Sequence, residues 1–254
     1  MNKTIKKTLS IILTILMIVS SVPFAFATEG TPVAKVGDVE YTDFVTAVAN
    51  WTDGTTLTLL ADTPEYNDNI TIVNKSVTLD LNGHTLNFSG TENKRFMVGE
   101  YDSLTIRDSG TDGAINAYYC TVQNYGITNL QSGTLNGPVS NVGTFNMTGG
   151  KVIGYSKLHR TSTQAIDNHG TLNISGGEAI GRFGISANYE SVTNISGSPV
   201  ITGEDRGSNK GSAIRSANTD LIITISGTPT LTGGSWGELF FKYPHYSEHP
   251  ACRR

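Results

Sequence analysis

Two histidines and a glutamate near the end of the chain have the spacing of a zinc-protease motif. Residues 245–249 read HYSEH, which fits the pattern H-x-x-E-H. That chemistry needs a helix that turns both histidines towards one metal ion. Pro244 and Pro250 flank the motif, and no acidic residue follows it. We therefore expect no metal site and no cofactor from these residues.

Acidic residues could instead support the cleavage of sugar chains. Glycoside hydrolysis needs a pair of facing carboxylates, and a Ca²⁺ site needs several acidic oxygens. Asp80, Arg107 and Asp108 are the strongest acid–base candidates, but we expect Asp80 and Arg107 to form an exposed ion pair of little energetic value. A second possible acidic face comprises Asp108, Asp112, Asp167 and Glu178.

The elements that would position these residues follow from an internal repeat. Three segments of 17 residues each place Asn fourth, Gly sixth and Gly last: Thr121–Gly137, Pro138–Gly154 and Ala165–Gly181. An apolar anchor extends the repeat with a mean spacing of 24 residues, and we assign it to Leu81, Ile106, Leu130, Met147, Ile174, Ile195 and Ile225. Such a period is typical of solenoid proteins.

Each repeat holds three short stretches of alternating apolar and polar residues, separated by Gly and Asn. In Thr171–Ser175, for example, Leu172 and Ile174 share one face. Gly (28), Thr (33) and Asn (20) dominate the chain and charged residues amount to 16%, which excludes a disordered tail and a long helical protein. We predict an all-β fold, a parallel β-helix of about seven coils that stack about 4.8 Å apart.

The asparagine in the fourth position of the repeat has a structural explanation. Asn124, Asn141 and Asn168 each precede a glycine by two residues, at a corner where Asn would tolerate a left-handed backbone. Stacked coil on coil, their side-chain amides can hydrogen-bond along the rod. We predict that these three residues form an internal asparagine ladder.

Other asparagines are predicted to face solvent beside the anchor. The first outward column is assigned to Asp80, Thr105, Asn129, Asn146, Asn173, Asn194 and Thr224. The next outward column is assigned to Asn82, Arg107, Gln131, Thr148, Ser175, Ser196 and Ser226. Because only Asp80 and Arg107 are charged, the columns predict a neutral wall of amides and hydroxyls. No catalytic residue is assigned, and the candidate binding residues are Asn129, Asn146, Asn173 and Asn194.

Residues 28–62 lack the repeat and predict an N-terminal cap. We expect strands over Ala34–Tyr41 and Thr55–Leu60. Asp43 can cap a short helix over Phe44–Trp51, with Phe44, Val48 and Trp51 on one face. An amphipathic helix at this position would cover the open end of the solenoid.

Residues 1–27 have the pattern of a secretory signal peptide. Three lysines precede an apolar stretch that is short for a membrane span, and Ala25-Phe26-Ala27 supplies a cleavage site before Thr28. The mature chain would hold 15 basic and 22 acidic residues, a net charge of −7 against −4 for the full chain. That charge argues against nucleic acid as a partner. We expect a secreted or cell-surface monomer with no transmembrane segment in the mature chain.

The end of the chain departs from the repeat. Residues 63–235 carry the repeat, whereas residues 236–254 abandon it and concentrate aromatic side chains. The tail is either a cap or the point where the array is truncated, and the abrupt change favours truncation. Cys120 and Cys252 are the two cysteines. A bond between them would staple the tail to the body, but sequence alone does not place them within bonding distance.

The whole pattern resembles a known class of extracellular solenoids. The segments that carry the resemblance are Val36–Asp62 (VGDVEYTDFVTAVANWTDGTTLTLLAD), Ser76–Leu86 (SVTLDLNGHTL) and the repeated TLNISGG units. They resemble secreted right-handed parallel β-helix proteins of the pectin-lyase-like superfamily, as found on the surfaces of Gram-positive bacteria. The resemblance covers roughly residues 33–235 and implies a right-handed coil. It also implies either polysaccharide cleavage or an adhesin-like stalk.

The catalytic motifs of the superfamily's hydrolases are incomplete here. The order N-T-D, D-D, G-H-G, R-x-K is matched only at its first motif, Asn218-Thr219-Asp220, which turn chemistry explains more readily. Asp167-Asn168-His169 is similar to a pectate-lyase pair only at a distance. We therefore predict a non-catalytic extracellular interaction module that contacts polysaccharide. The alternatives are a polysaccharide lyase or glycoside hydrolase, and a truncated fragment of a larger surface protein.

Overall fold

Short parallel strands form nearly all of the regular structure. The structure is a computed structural model that describes residues 30–89, 93–154, 164–216 and 220–241. From Pro32 onward the described residues belong to one compact unit. They form three sheets of ten, eight and seven strands, here named sheet 1, sheet 2 and sheet 3. This arrangement confirms the all-β fold and the parallel β-helix that the repeat predicts.

Sheet 1 carries the anchor residues. Its strands are Ala34–Val36, Val39–Tyr41, Thr56–Leu59, Ser76–Asp80, Ser103–Arg107, Ile127–Leu130, Thr144–Met147, Thr171–Ile174, Val192–Ile195 and Ile222–Ile225. Two of its pairings are antiparallel, both made by the strand Ala34–Val36. From Thr56–Leu59 onward every pairing in this sheet is parallel.

Sheets 2 and 3 complete the coils. The strands of sheet 2 are Ile70–Ile72, Phe96–Val98, Val122–Asn124, Val139–Asn141, Gln164–Asn168, Phe183–Ala187, Ser212–Ser216 and Leu239–Phe241. The strands of sheet 3 are Thr85–Asn87, Ala114–Asn116, Thr134–Asn136, Lys151–Ile153, Glu178–Gly181, Val200–Gly203 and Thr230–Thr232. The chain passes from sheet 2 to sheet 1 to sheet 3 and then begins the next coil.

The register of sheet 1 supports the anchor column except at its first member. Ile106, Leu130 and Met147 pair in register, and the column continues to Ile225. Ile106 pairs with Leu79, however, and not with Leu81. The assignment of Leu81 was wrong because the alternating pattern VTLDL keeps the same face inward after a shift of two residues.

Apolar side chains from all three sheets fill the interior of the solenoid. Leu79, Ile106 and Leu130 are fully buried in sheet 1, as are Val139 in sheet 2 and Val152 in sheet 3. Large side chains in the core include Phe96 and Phe145, both with no exposed surface. Burial declines at the last coil, where the anchor Ile225 is 42% exposed.

The first segment is a hairpin followed by a short helix. The expected single strand Ala34–Tyr41 is two strands, because Gly37 adopts a φ of 58° and turns the chain. The helix spans Phe44–Ala49, and the Asp43 carboxylate accepts a hydrogen bond from the Thr46 backbone N–H at 2.8 Å. Phe44 and Trp51 are buried as expected, and Ala47 is buried with them while Val48 is half-buried.

Several sequence-based expectations fall outside the described residues. The signal peptide, its cleavage site at Ala27 and Thr28, and the motif at residues 245–249 are among them. Cys252, the second cysteine, also lies outside the described residues. Cys120 itself is buried, and burial raises the pKa of its thiol.

Candidate binding surface

A column of asparagine side chains runs along the outer face of sheet 1. Asn129, Asn146, Asn173 and Asn194 occupy the same register position on four successive strands. Each side-chain amide donates to the carbonyl oxygen of the asparagine before it, at 2.9 Å from Asn146, 2.8 Å from Asn173 and 2.9 Å from Asn194. Asn129 continues the row by donating to the Thr105 hydroxyl at 3.2 Å. We name these four residues the outer ladder.

The outer ladder leaves hydrogen-bonding capacity available to a ligand. A side-chain amide has two N–H donors and a carbonyl oxygen with two lone pairs. In Asn146 and Asn173, the ladder bonds use one N–H and one lone pair of each side chain. All four side chains are half-buried, so one edge of each amide faces solvent. The row therefore offers oriented donors and acceptors about 4.8 Å apart.

At the first coil, the residues in the two outward columns of sheet 1 differ from those that the sequence predicted. Asp80 pairs with Arg107 and Thr78 with Thr105, so Thr78 precedes Thr105 in the outer column. The assignment of Asp80 to this column and of Asn82 to the next was wrong. Both assignments contain the same two-residue shift as the assignment of Leu81 to the anchor column. In sheet 1, the outer face at this register position carries hydroxyls and amides from Thr78 to Thr224.

Asn124, Asn141 and Asn168 form a second column, which is completely buried. Asn124 donates to Asn141 at 2.7 Å, and Asn141 donates to Asn168 at 2.8 Å. The same amide groups also donate to backbone carbonyls of the neighbouring coil, as Asn141 does to Thr171 at 2.9 Å. We name this column the inner ladder.

The backbone at the inner ladder is extended. Its residues end strands of sheet 2, and the non-glycine residues with positive φ among those described are Asn74, Asn82, Asp112 and Glu190. The expectation of a left-handed corner was therefore wrong. The glycine two residues later is required by close approach, because a Cβ on Gly126, Gly143 or Gly170 would overlap carbonyl oxygens of the preceding coil.

A third asparagine column was missed in the sequence. Asn116 donates to Asn87 and Asn136 donates to Asn116, both at 2.8 Å, on the outer face of sheet 3. The signal lay in the strands TLN, AIN and TLN, which each end in asparagine. The column stops at Ile153, which pairs with Asn136.

An exposed apolar and aromatic stripe follows the corner between sheets 2 and 1. Its members occupy successive coils and are Val73, Tyr101, Tyr125, Val142, His169 and Tyr189. Tyr101 is 91% exposed and Tyr125 is 43% exposed. Gly99, Glu100, Tyr125 and Val142 line a groove of about 410 Å³ at this corner. We name these six residues the corner stripe.

The corner stripe had a sequence signal that the repeat alone did not interpret. Tyr125, Val142 and His169 each stand between the asparagine and the glycine of the N-x-G corner. Backbone hydrogen bonds stack these corners, with the Val142 N–H donating to the Asn124 carbonyl at 2.8 Å. The asparagine turns inward and the glycine is too close to its neighbour to carry a side chain. The middle residue is therefore the one that projects outward.

Asp80, Arg107 and Asp108, the acid–base candidates of the sequence analysis, stabilise turns. Asp80 is 3% exposed and accepts hydrogen bonds from the Arg107 guanidinium at 3.0 Å and the Ser109 backbone N–H at 3.0 Å. Asp108 accepts from the backbone N–H groups of Gly83 at 2.7 Å and Gly113 at 2.8 Å. The Asp80–Arg107 pair was expected to be exposed, but its carboxylate is buried. These bonds fix the loops between sheets 1 and 3.

The alternative acidic face is not assembled. Glu178 pairs with Lys151 at 2.8 Å on sheet 3, whereas Asp167 lies on sheet 2. Asp167 accepts from the Asn188 amide at 2.8 Å and lies 3.5 Å from the His169 imidazole. In the part of the chain that the structure describes, no three His, Cys, Asp or Glu side chains come together as a metal site.

Comparison with known protein families, with curated proteins and with solved structures found no match for this chain. Within the described residues, no helix is long and apolar enough to cross a membrane.

Proposed function

We propose that this chain is an extracellular interaction module that binds polysaccharide through repeated weak contacts along the rod. The proposal places the outer ladder and the corner stripe on one binding surface, since the corner leads directly into sheet 1. Amides would hydrogen-bond sugar hydroxyls, and tyrosine rings would pack against sugar rings. The proposal includes export by residues 1–27 and follows the resemblance to adhesin-like β-helix proteins.

The observation that carries the proposal is the repetition of one oriented amide per coil. Because each outer-ladder amide is held by its neighbours, little side-chain entropy is lost when a ligand binds. A polymer that lies along the rod can engage several equivalent positions, so weak contacts combine into a useful affinity. A short sugar would engage one or two positions and bind weakly.

The state of the acidic residues supports binding over catalysis. The Asp80 and Asp108 carboxylates accept backbone hydrogen bonds that hold turns, so their oxygens are committed to the fold. One observation favours the enzymatic alternative. Asp167 on sheet 2 lies 3.5 Å from His169 at the adjoining corner. Release of soluble oligosaccharides from a polysaccharide panel would identify that alternative directly.

A quadruple variant tests the proposed surface. Replacing Asn129, Asn146, Asn173 and Asn194 with alanine removes the outer ladder, and we expect affinity for a bound polysaccharide to fall by about tenfold or more because several contacts are lost together. The measurement is affinity electrophoresis against a panel of plant, microbial and mucin polysaccharides, with circular dichroism to confirm the β fold.

The matched control carries Asn116→Ala and Asn136→Ala, which shorten the asparagine column on sheet 3. Wild-type affinity in this control is expected because sheet 3 is not part of the proposed surface. A folded quadruple variant that binds every polysaccharide as the wild type does would contradict the proposal.

A further inference from the structure

Two arginines and three aromatic rings gather where sheet 2 meets the last described coil. Arg182 directly precedes the strand Phe183–Ala187, and Arg215 lies in the neighbouring strand Ser212–Ser216. Phe240 pairs with Arg215 on the next strand of the sheet. Trp236 reaches the cluster from the loop between sheets 3 and 2. This group is separate from the outer ladder and the corner stripe.

The rings form a nearly parallel stack. The Trp236 ring lies 4.0 Å from the Phe240 ring and 5.9 Å from the Phe183 ring, at interplanar angles of 12° and 13°. Phe183 is buried, whereas Trp236 and Phe240 are half-buried. The stack therefore provides a rigid apolar base with one side open to solvent.

Both arginines lie against this base. The guanidinium carbons of Arg182 and Arg215 are 4.7 Å and 4.8 Å from the centre of the Phe183 ring. Arg182 also lies 5.3 Å from the centre of the Trp236 ring. The Arg182 Nε–H donates to the Lys210 carbonyl at 2.9 Å, which fixes the direction of its terminal nitrogens.

The two positive charges have no acidic partner among the described residues. The ion pairs in that part of the chain use Arg107, Arg206, Lys151 and two histidines, but neither Arg182 nor Arg215. Burial and the charge of Arg215 lower the pKa of Arg182. Two like charges beside one ring are thus held together in a chain whose net charge is −4.

We propose that Arg182 and Arg215 form a binding site for an oxyanion, a carboxylate, sulfate or phosphate group on an extracellular ligand. The planar guanidinium presents paired N–H donors that match two oxygens of such a group. An oxyanion between the arginines would replace their mutual repulsion with attraction to both. The rings beneath restrict the arginine side chains and exclude water, which strengthens the interaction.

Tryptophan fluorescence can test the site on the purified protein. The chain has two tryptophans, and Trp51 is buried in the N-terminal segment, so a Trp236→Phe variant should lose any signal that arises at the site. Sodium sulfate, sodium phosphate and sodium acetate are titrated against sodium chloride of equal ionic strength. We expect a saturable change for at least one of the three oxyanions, and the strongest of them identifies the group that the site prefers.

Charge variants distinguish oxyanion binding at the two arginines from a general effect of salt on the fluorescence. Arg215→Gln should lower the affinity for the most tightly bound oxyanion by about tenfold or more. Arg215→Lys should recover only part of that affinity, because an ammonium group lacks the paired donors. Lys151→Gln removes one charge from sheet 3 and should leave the titration unchanged. Thermal unfolding checks that each variant is folded, and Arg182→Gln serves as a second test if an Arg215 variant is not.

Three results would overturn this proposal. The first is the absence of a saturable change with all three oxyanions. The second is equal binding by wild type and folded Arg215→Gln. The third is an equal loss in Lys151→Gln, which would mean a response to net charge. None of these results bears on the outer ladder, so the proposed polysaccharide surface is tested independently.

Discussion

The inner and outer ladders are built from the same residue type at the same coil spacing, yet they differ in burial and in their hydrogen-bond partners. Their side-chain bonds are equally short, 2.7 and 2.8 Å inside against 2.8 to 2.9 Å between the outer asparagines. Inner amides also donate to backbone carbonyls of the next coil, and they have no contact with water. Outer amides keep one edge in solvent.

The difference lies in what replaces a lost hydrogen bond. A buried polar group that loses its partner pays the full cost of desolvation, whereas water can take the place of a partner at the surface. The inner ladder is therefore part of the stability of the coil stack. Substitutions at the outer ladder should cost little stability, so its residues are free to be selected for binding.

The largest effect is expected at the closely packed corner that follows an inner-ladder asparagine. Gly143→Ala places a methyl group against the carbonyl oxygens of Gly126 and Tyr125, which belong to the rigid backbone of the preceding coil. We expect a loss of about 3 kcal/mol in the free energy of unfolding, as for severe overpacking. Urea denaturation measures it, with the adjacent half-buried Thr144→Ala as control. Equal stability of the two variants would mean that the coils are less closely stacked.

The next effect separates the two ladders directly. Asn141→Ala removes bonds to Asn124, Asn168 and the Thr171 carbonyl inside the protein. A cost of about 2 kcal/mol in unfolding free energy is expected, because buried partners are left unsatisfied. Equilibrium denaturation of this variant beside the wild type gives the value. A loss below the experimental error would remove the distinction between the ladders.

The equivalent change in the outer ladder should cost much less. Asn146→Ala breaks bonds to Asn129 and Asn173, but solvent reaches the groups that are left. We expect a change within about 0.5 kcal/mol in unfolding free energy, which is usual for surface substitutions. The same denaturation series supplies the number. A penalty as large as that of Asn141→Ala would show that the outer ladder is also structural.

A further effect, similar in size to that of Asn146→Ala, should depend on pH. Hydrogen bonds from Thr46 lower the pKa of Asp43 below its ordinary value of 3.8. Stability from this cap is therefore full above the unfolded pKa and is lost as pH falls through the lower folded pKa. Asp43→Ala should cost about 0.5 kcal/mol at pH 7, given that the cap is exposed. The gap to wild type should narrow as the pH falls below 3.8 and through the lower folded pKa of Asp43.

The two ladders contain no ionisable groups, so their variants provide the reference for this last experiment. The stability differences of Asn141→Ala and Asn146→Ala should stay constant as the pH falls from 7 through the lowered pKa of Asp43. A constant gap for Asp43→Ala over the same range would show that the carboxylate charge does not contribute to the cap.

The sequence predicted the repeating elements because their pattern is local. Alternation of apolar residues placed the strands of all three sheets, and the N-x-G repeat predicted that the inner asparagines stack as a ladder. The alternation could not distinguish Leu79 from Leu81 in the first coil, since residues two positions apart lie on the same face of a strand. It could not reveal the hairpin either, where Gly37 turns a segment that is otherwise typical of one strand.

The sequence by itself determined the parallel β-helix, because a period of hydrophobic and turn residues fixes both the strands and their stacking. The tertiary structure decided which asparagines are buried with their backbone partners and which keep an edge in water. It also decided that Arg182, Arg215 and Trp236 meet, since side chains from three separate segments are brought together only when the coils stack. The burial of Asp80 has the same origin, because its partners come from the next coil.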